Sequence, residues 1–276
     1  KLHEAGFKGQ GMTIAVIDAG FHNVDKITAM QNIRILGTKD FVNPQADIFA
    51  ESSHGLSVLS CIGMNQPDVM TGTAPGASFW LLRSEDEYSE HLVEQDYWAA
   101  AVEFADSVGV DVVSSSLGYF SFDVEALNYH QDQLDGRTSL ISRAAKMASS
   151  KGILLFSSAG NEGGGSWGKI TFPADAPDIL TVGAITDRKK KSNFSSVGFT
   201  ADYRVKPDVV ALGTGCCVID PTGNIRYANG TSFATPILAG LGVCLWQAFP
   251  SLTNKDIISL LQRFGLSLIH ISEPTR

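Results

Sequence analysis

The chain has 276 residues, 44% of them hydrophobic, and a formal net charge of -8. That length and apolar share allow a substantial buried core, which excludes a disordered chain. The interspersed charges offer no basic stripe for phosphate backbones or anionic lipids, and no apolar run reaches the roughly 20 residues that cross a bilayer, so neither nucleic acid nor membrane is expected as a partner.

In chain order, short β-branched or apolar runs predict strands at 12–18, 32–38, 78–83, 110–114, 153–158, 179–184 and 209–212. Longer periodic stretches predict helices at 54–63, 90–108, 139–150, 232–248 and 254–264, the last opened by a Thr253 cap. The alternation predicts an α/β chain whose mostly parallel central sheet carries helices on both faces. Residues 160–168 are glycine-rich and read as a loop. With no repeat, low-complexity tract or charged linker, one domain is expected over residues 1–265. The chain opens on Lys1 without a signal-peptide pattern and reads as a fragment or a mature form.

In an open α/β sheet, ligands gather beyond the carboxyl ends of strands, so reactive residues just past a strand carry the most weight. Asp18 closes the first predicted strand, Asn161 follows the one ending at Ser158, and residues 114–118 leave another. A serine hydroxyl attacks only when a base takes its proton, and the base needs a carboxylate to fix its tautomer and stabilise the imidazolium. Ser232, in Gly230-Thr231-Ser232-Phe233-Ala234-Thr235-Pro236, stands at a turn into a long apolar helix. His54 opens another helix, with Gly55 beside it allowing close backbone approach.

These segments, in the order Asp, His, Ser, resemble the three signatures of the subtilisin family, and the order is itself distinguishing. Ser116-Leu117-Gly118, Ala159-Gly160-Asn161-Glu162-Gly163, Pro173-Ala174 and Lys206-Pro207-Asp208-Val209 are similar to further landmarks of that family, so the match runs from Gly11 to Gln262. The resemblance implies a three-layer subtilisin-like fold and a serine endopeptidase acting on extended polypeptide. Secretion or display at the cell surface, and an inhibitory prosegment outside this chain, are implied in the same way; no cofactor is.

Carried onto this sequence, Ser232 would be the nucleophile, His54 the general base and then acid, and Asp18 the carboxylate that orients it. The Asn161 side chain and the Ser232 backbone N–H would form the oxyanion hole. Ser116, Leu117 and Gly118, with Ser158, Ala159 and Gly160, would wall the pocket for the residue before the cut. Thr171 would be the pocket floor, suiting a medium apolar side chain.

The acidic run Glu85-Asp86-Glu87, with Glu90 close behind, follows the strand ending at Arg83, where the family places an edge strand that pairs with substrate. Two readings stand. The carboxylates face a basic substrate residue two to four places upstream of the cut, or they form a solvated helix start suited to the helix dipole.

Two departures from the family pattern matter. Ala19 stands where the family usually has Ser or Thr, which removes a hydroxyl beside Asp18. The loop at 64–71 has Asp68 as its sole carboxylate, so no bound calcium, and no other metal, is expected. Cys61, Cys216, Cys217 and Cys244 lack zinc-ligand spacing. Cys61 and Cys244 fall in apolar helical stretches as small hydrophobes, and the disulfide state stays open.

Each site residue alone has a plainer role: Asp18 a turn former, His54 a structural histidine, Ser232 an N-cap, Asn161 a turn residue. Their joint occurrence in order argues for chemistry. The alternative is a pseudoprotease, a non-catalytic binding module on the same fold. Gly164-Gly165-Ser166-Trp167-Gly168 also matches an esterase elbow, but that motif needs a following helix and a later Asp and His, and the one later histidine is His270. Residues 266–276 resemble a one-frame translation of a transposase adapter used in preparing sequencing libraries. This tail is therefore expected to be non-native, the natural chain running on past Gly265.

Overall fold

The structure is a computed structural model, described here over residues 1–267; residues 268–276, which hold His270 and most of the adapter-like tail, lie outside the described residues. Seven strands form the central sheet: β1 (Thr13–Asp18), β2 (Arg34–Asp40), β3 (Ser78–Arg83), β4 (Val112–Ser115), β5 (Leu154–Ser158), β6 (Leu180–Ile185) and β7 (Val209–Leu212). Their spatial order is β7-β6-β5-β4-β1-β3-β2, and every pairing is parallel. The order reverses at β1, whose neighbours are β3 on one side and β4 on the other. At such a switch point the chain leaves the sheet in opposite directions, and a crevice opens beyond the carboxyl ends of the strands.

Strand residues alternate between two cores. Ile14 and Val16 of β1, Val112 of β4 and Leu154 and Phe156 of β5 enter one cluster, together with residues of α1 (His54–Gly63), α4 (Thr231–Ala248) and α5 (Asn254–Phe264). Ala15, Ile17, Val113 and Leu155 enter the other, with residues of α2 (Glu94–Ser107) and α3 (Leu140–Ser150). Both sheet faces are covered, and the molecule has three layers. By length and composition α4 could cross a membrane, but it is 67% buried against the sheet and serves as a core helix.

Several elements differ from the sequence reading. The second helix begins at Glu94 rather than at residue 90, because a long-range contact engages the backbone there: Glu90 N–H donates to Asp123 Oδ2 at 3.2 Å and Asp123 N–H donates to the Glu90 carbonyl at 3.0 Å. An antiparallel hairpin, β8 (Cys216–Ile219) and β9 (Ile225–Ala228), fills a stretch read without any element. It is fastened to α1, since Ser57 Oγ donates to the Ile219 carbonyl at 3.1 Å and Ile219 N–H donates to Ser60 Oγ at 3.1 Å. The four cysteines are free thiols, and Cys61, Cys216 and Cys244 are buried.

Candidate active site

Asp18 ends β1 at the switch point and is fully buried. The backbone around it is clamped: Ser84 N–H donates to the Asp18 carbonyl at 3.1 Å and Arg83 Nε donates to the Ala19 carbonyl at 3.0 Å. α1 starts almost on top of this turn. Gly55 N–H donates to the Gly20 carbonyl at 3.0 Å, and any side chain at Gly55 would collide with that carbonyl and with Asp18 Cβ. The absent side chain lets the helix approach until His54 Nδ1 lies 2.7 Å from Asp18 Oδ1. The same carboxylate oxygen accepts the Ala19 N–H at 2.8 Å, while Oδ2 is buried without a partner among the described residues.

The His54 side chain is 33% exposed. Burial pulls its basicity down, but the charge and hydrogen bond of Asp18, with Glu85 and Glu87 adding, outweigh it and leave the imidazole above its ordinary value of 6.5. Its ring stands 5.8 Å from that of Phe233, centroid to centroid.

Ser232 is the second residue of α4, so its N–H belongs to the first turn and has no acceptor within the helix. Ser232 Oγ donates to the Ser116 carbonyl at 3.2 Å, and among the described residues no hydrogen bond joins it to His54. In return Ser116 Oγ donates to the Ser232 carbonyl at 2.8 Å. Asn161, just past β5, accepts from Thr231 N–H at 3.0 Å and from Thr231 Oγ1 at 3.1 Å through its Oδ1. A flipped amide would set its N–H against the Thr231 N–H, so Oδ1 is the atom turned to Thr231 and Nδ2 is left on the other side.

His54, Ser232 and Asn161 share a cleft of about 280 Å³ with Ser116, Leu117, Gly118, Ser158, Gly160, Thr171, Glu85 and Glu87. Thr171 sits between two glycines: side chains at Gly118 and Gly160 would run into its Oγ1, and Gly160 has φ +98, a conformation that favours glycine. Thr171 Oγ1 is buried and unpartnered among the described residues. Ala159 lies in the core and contributes its carbonyl, which accepts Thr171 N–H at 3.1 Å. Asp86 stands outside the cleft lining and accepts Tyr88 N–H at 3.2 Å. Since α2 begins only at Glu94, the run Glu85-Asp86-Glu87 is not a helix start.

Sequence reasoning assigned no part to Ser52, Phe120 and Glu162 in the cleft wall, while Glu90, noted there behind the acidic run, also lines it. Glu162 and Phe120 lie one and two residues beyond Asn161 and Gly118, close enough to the motifs to be found by extending them. Phe120 stacks on Trp167 at 5.0 Å. Ser166, in the elbow-like stretch, is exposed in a loop and has no helix after it. The loop that carries Asp68 closes as a two-residue ribbon, Asn65–Gln66 on Met70–Thr71.

The chain is 31% identical over 264 residues to subtilisin NAT of Bacillus subtilis subsp. natto, an alignment that covers 95% of this chain and 62% of that relative's length. It is 30% identical to the subtilisin of Bacillus pumilus, covering 95% of this chain and 86% of the relative. Among solved structures, sphericase superposes with a TM-score of 0.70 at 27% identity, covering 93% of this chain and 83% of its own. The prenylagaramide maturation protease PagA shares the fold with a TM-score of 0.73 at 22% identity, covering 94% and 85%. A family model for the subtilases matches residues 9–264. With that match over nearly all of its length, the chain belongs to the subtilase family.

Proposed function

We propose that the chain is a serine endopeptidase that hydrolyses extended polypeptides through Ser232, His54 and Asp18. The observation that carries the reading is the 2.7 Å bond between His54 Nδ1 and Asp18 Oδ1, made at the mouth of a cleft that also holds Ser232 and the Asn161 amide. In this reading Ser232 Oγ turns from the Ser116 carbonyl toward His54 Nε2, gives up its proton and attacks the scissile carbonyl. Asp18 holds the Nδ1–H tautomer and stabilises the imidazolium. The developing oxyanion takes the Asn161 Nδ2–H and the Ser232 N–H, the latter at the positive end of α4. His54 then passes its proton to the leaving amine, and water, activated by the same imidazole, hydrolyses the acyl-enzyme. By family likeness the protein is exported and made with an inhibitory prosegment.

One observation favours a second reading, a non-catalytic binding module: Ser232 Oγ is hydrogen-bonded to Ser116 and not to His54. Catalytic bonds are often loose before substrate arrives, so the geometry is compatible with both. A fluorophosphonate probe separates them. The peptidase reading expects labelling of full-length protein that disappears, with peptide hydrolysis, in Ser232→Ala and persists in Ser166→Ala. Absence of labelling on folded wild-type protein would leave the binding module.

A further inference from the structure

Among the described residues, the carboxyls of the cleft meet His54 but no Lys or Arg. Glu85, Glu87, Glu90 and Glu162 line it, and among the described lining residues there is no Lys or Arg. The nearest basic side chain in sequence, Arg83, is committed to Asp40 at 3.0 Å, to Glu51 at 3.2 Å and to the Ala19 carbonyl at 3.0 Å. Glu85 is held in place. Tyr119, 1% exposed, donates its hydroxyl to Glu85 Oε2 at 3.3 Å, and one residue earlier Ser84 is bonded to the Asp18 backbone. At the start of α2, Glu94 is 1% exposed and leaves Oε2 without a partner among the described residues. Thr171 Oγ1, in a residue 3% exposed, is equally unpartnered among the described residues and lies between Gly118 and Gly160. With four carboxyls and no Lys or Arg among its described lining residues, the cleft suits at Glu85 an occupant that brings positive charge.

An extended substrate turns alternate side chains to opposite sides. With the residue before the cut in the slot between Gly118 and Gly160, the next one upstream faces the other way, where Glu85 and Glu87 stand beside His54. Resting on the peptidase reading above, we propose that Glu85 seats a Lys or Arg side chain at the second position upstream of the scissile bond and selects it by a charge-assisted hydrogen bond.

The groups that face Glu85 are Asp18 at the end of β1, His54 at the start of α1, Glu90 on its own segment, Tyr119 beyond β4 and Glu94 in α2. Burial, then Glu90 and Asp18, push the Glu85 carboxyl up to about 7, against the opposing pull of His54 and the Tyr119 bond. Glu85 therefore acquires its charge as pH rises through neutrality. A cationic side chain is favoured above that range and not below it.

The test uses two peptides that differ only in Lys against norleucine at that position, hydrolysed by the full-length protein from about pH 5.5 to about pH 8.5. The ratio of their kcat/KM values cancels the titration of His54, which both substrates share. The Lys peptide is expected to lead on the order of tenfold at the alkaline end, as a charged hydrogen bond allows. The ratio should fall toward one at the acid end, shrink with added salt and collapse at every pH in Glu85→Gln. A ratio flat in pH, or one retained in Glu85→Gln, overturns the assignment while norleucine cleavage still supports the peptidase reading. Cleavage of neither peptide overturns both.

Discussion

Ser116 and Ser232 exchange hydrogen bonds crosswise, each hydroxyl donating to the other's carbonyl, at 2.8 Å from Ser116 and 3.2 Å from Ser232. Pro236 makes the exchange necessary. It lies four residues after Ser232 inside α4, and its ring has no N–H to give the Ser232 carbonyl. Ser116 Oγ supplies the missing donor, and in doing so ties the first turn of α4 to the segment leaving β4.

Ser116→Ala should therefore leave a buried carbonyl unpaired and lower unfolding stability by about 1–3 kcal/mol. Pro236→Ala offers an N–H to the same carbonyl. In a double-mutant cycle followed by denaturant unfolding, the second change should recover part of the loss caused by the first. Strict additivity would show that the Ser116 bond does not stand in for the N–H that Pro236 lacks.

Asn161→Ala removes both the acceptor that holds Thr231 and the amide that faces the cleft. Asn161→Asp keeps the acceptor alone. Both variants should lose kcat with little change in KM, because the oxyanion exists only along the reaction path. The expected loss is about 10²–10³-fold, the magnitude established for such a donor in subtilisin itself. Full turnover in a folded Asn161→Asp variant would remove the amide from the oxyanion hole.

Hydrolysis of a neutral peptide should rise with pH through the titration of His54, since only neutral imidazole accepts the serine proton. Asp18, Glu85 and Glu87 all favour the protonated ring, so the midpoint belongs above 6.5. Because Glu85 itself titrates near 7, the measured value belongs to the coupled pair. Removing the negative charge in Glu85→Gln should move the midpoint down. A midpoint unmoved, in a rate profile on the norleucine peptide, would show that Glu85 does not act on His54.

Ala19→Ser should supply a donor for the buried, unpartnered Asp18 Oδ2. A hydrogen bond to a carboxylate contributes about 1.5–3 kcal/mol, less whatever water already provides, so the denaturant midpoint should rise. Ala19→Val, equal in reach but without a hydroxyl, should not raise it.

A chelator should leave peptide hydrolysis intact if the loop carrying Asp68 holds no ion. Inactivation by chelator that added calcium reverses would place an ion-dependent element in the molecule.

The central sheet and five helices are legible in the sequence because buried parallel strands read as short apolar runs and the helices between them as longer periodic ones. His54–Gly63 and Asn254–Phe264 begin and end where capping and periodicity put them. His54, Ser232 and Asn161, which meet in the cleft, are legible as motifs, placed at a helix start or just past a strand. What sequence leaves hidden depends on distant partners. The start of α2 is displaced by Asp123, the hairpin at 216–228 is stable through α1, and the Ser116–Ser232 exchange joins residues 116 positions apart. The acidic run admitted two readings because local sequence could not say whether the helix begins close behind it, at residue 90, or only at Glu94.

The sheet order that opens the cleft at β1 also fixes when the cleft can exist. Asp18 and His54 are 36 residues apart, Asn161 and Thr231 are 70, and Ser116 and Ser232 are 116. Contacts of such span form slowly, after the loops between them have closed. No fragment ending before residue 232 contains all three groups of the proposed triad, and none lacking the docked α4 has Thr231 in place to hold the Asn161 amide. On the peptidase reading proposed above, cutting power and completion of the fold therefore arrive together, and a half-folded chain can cut nothing.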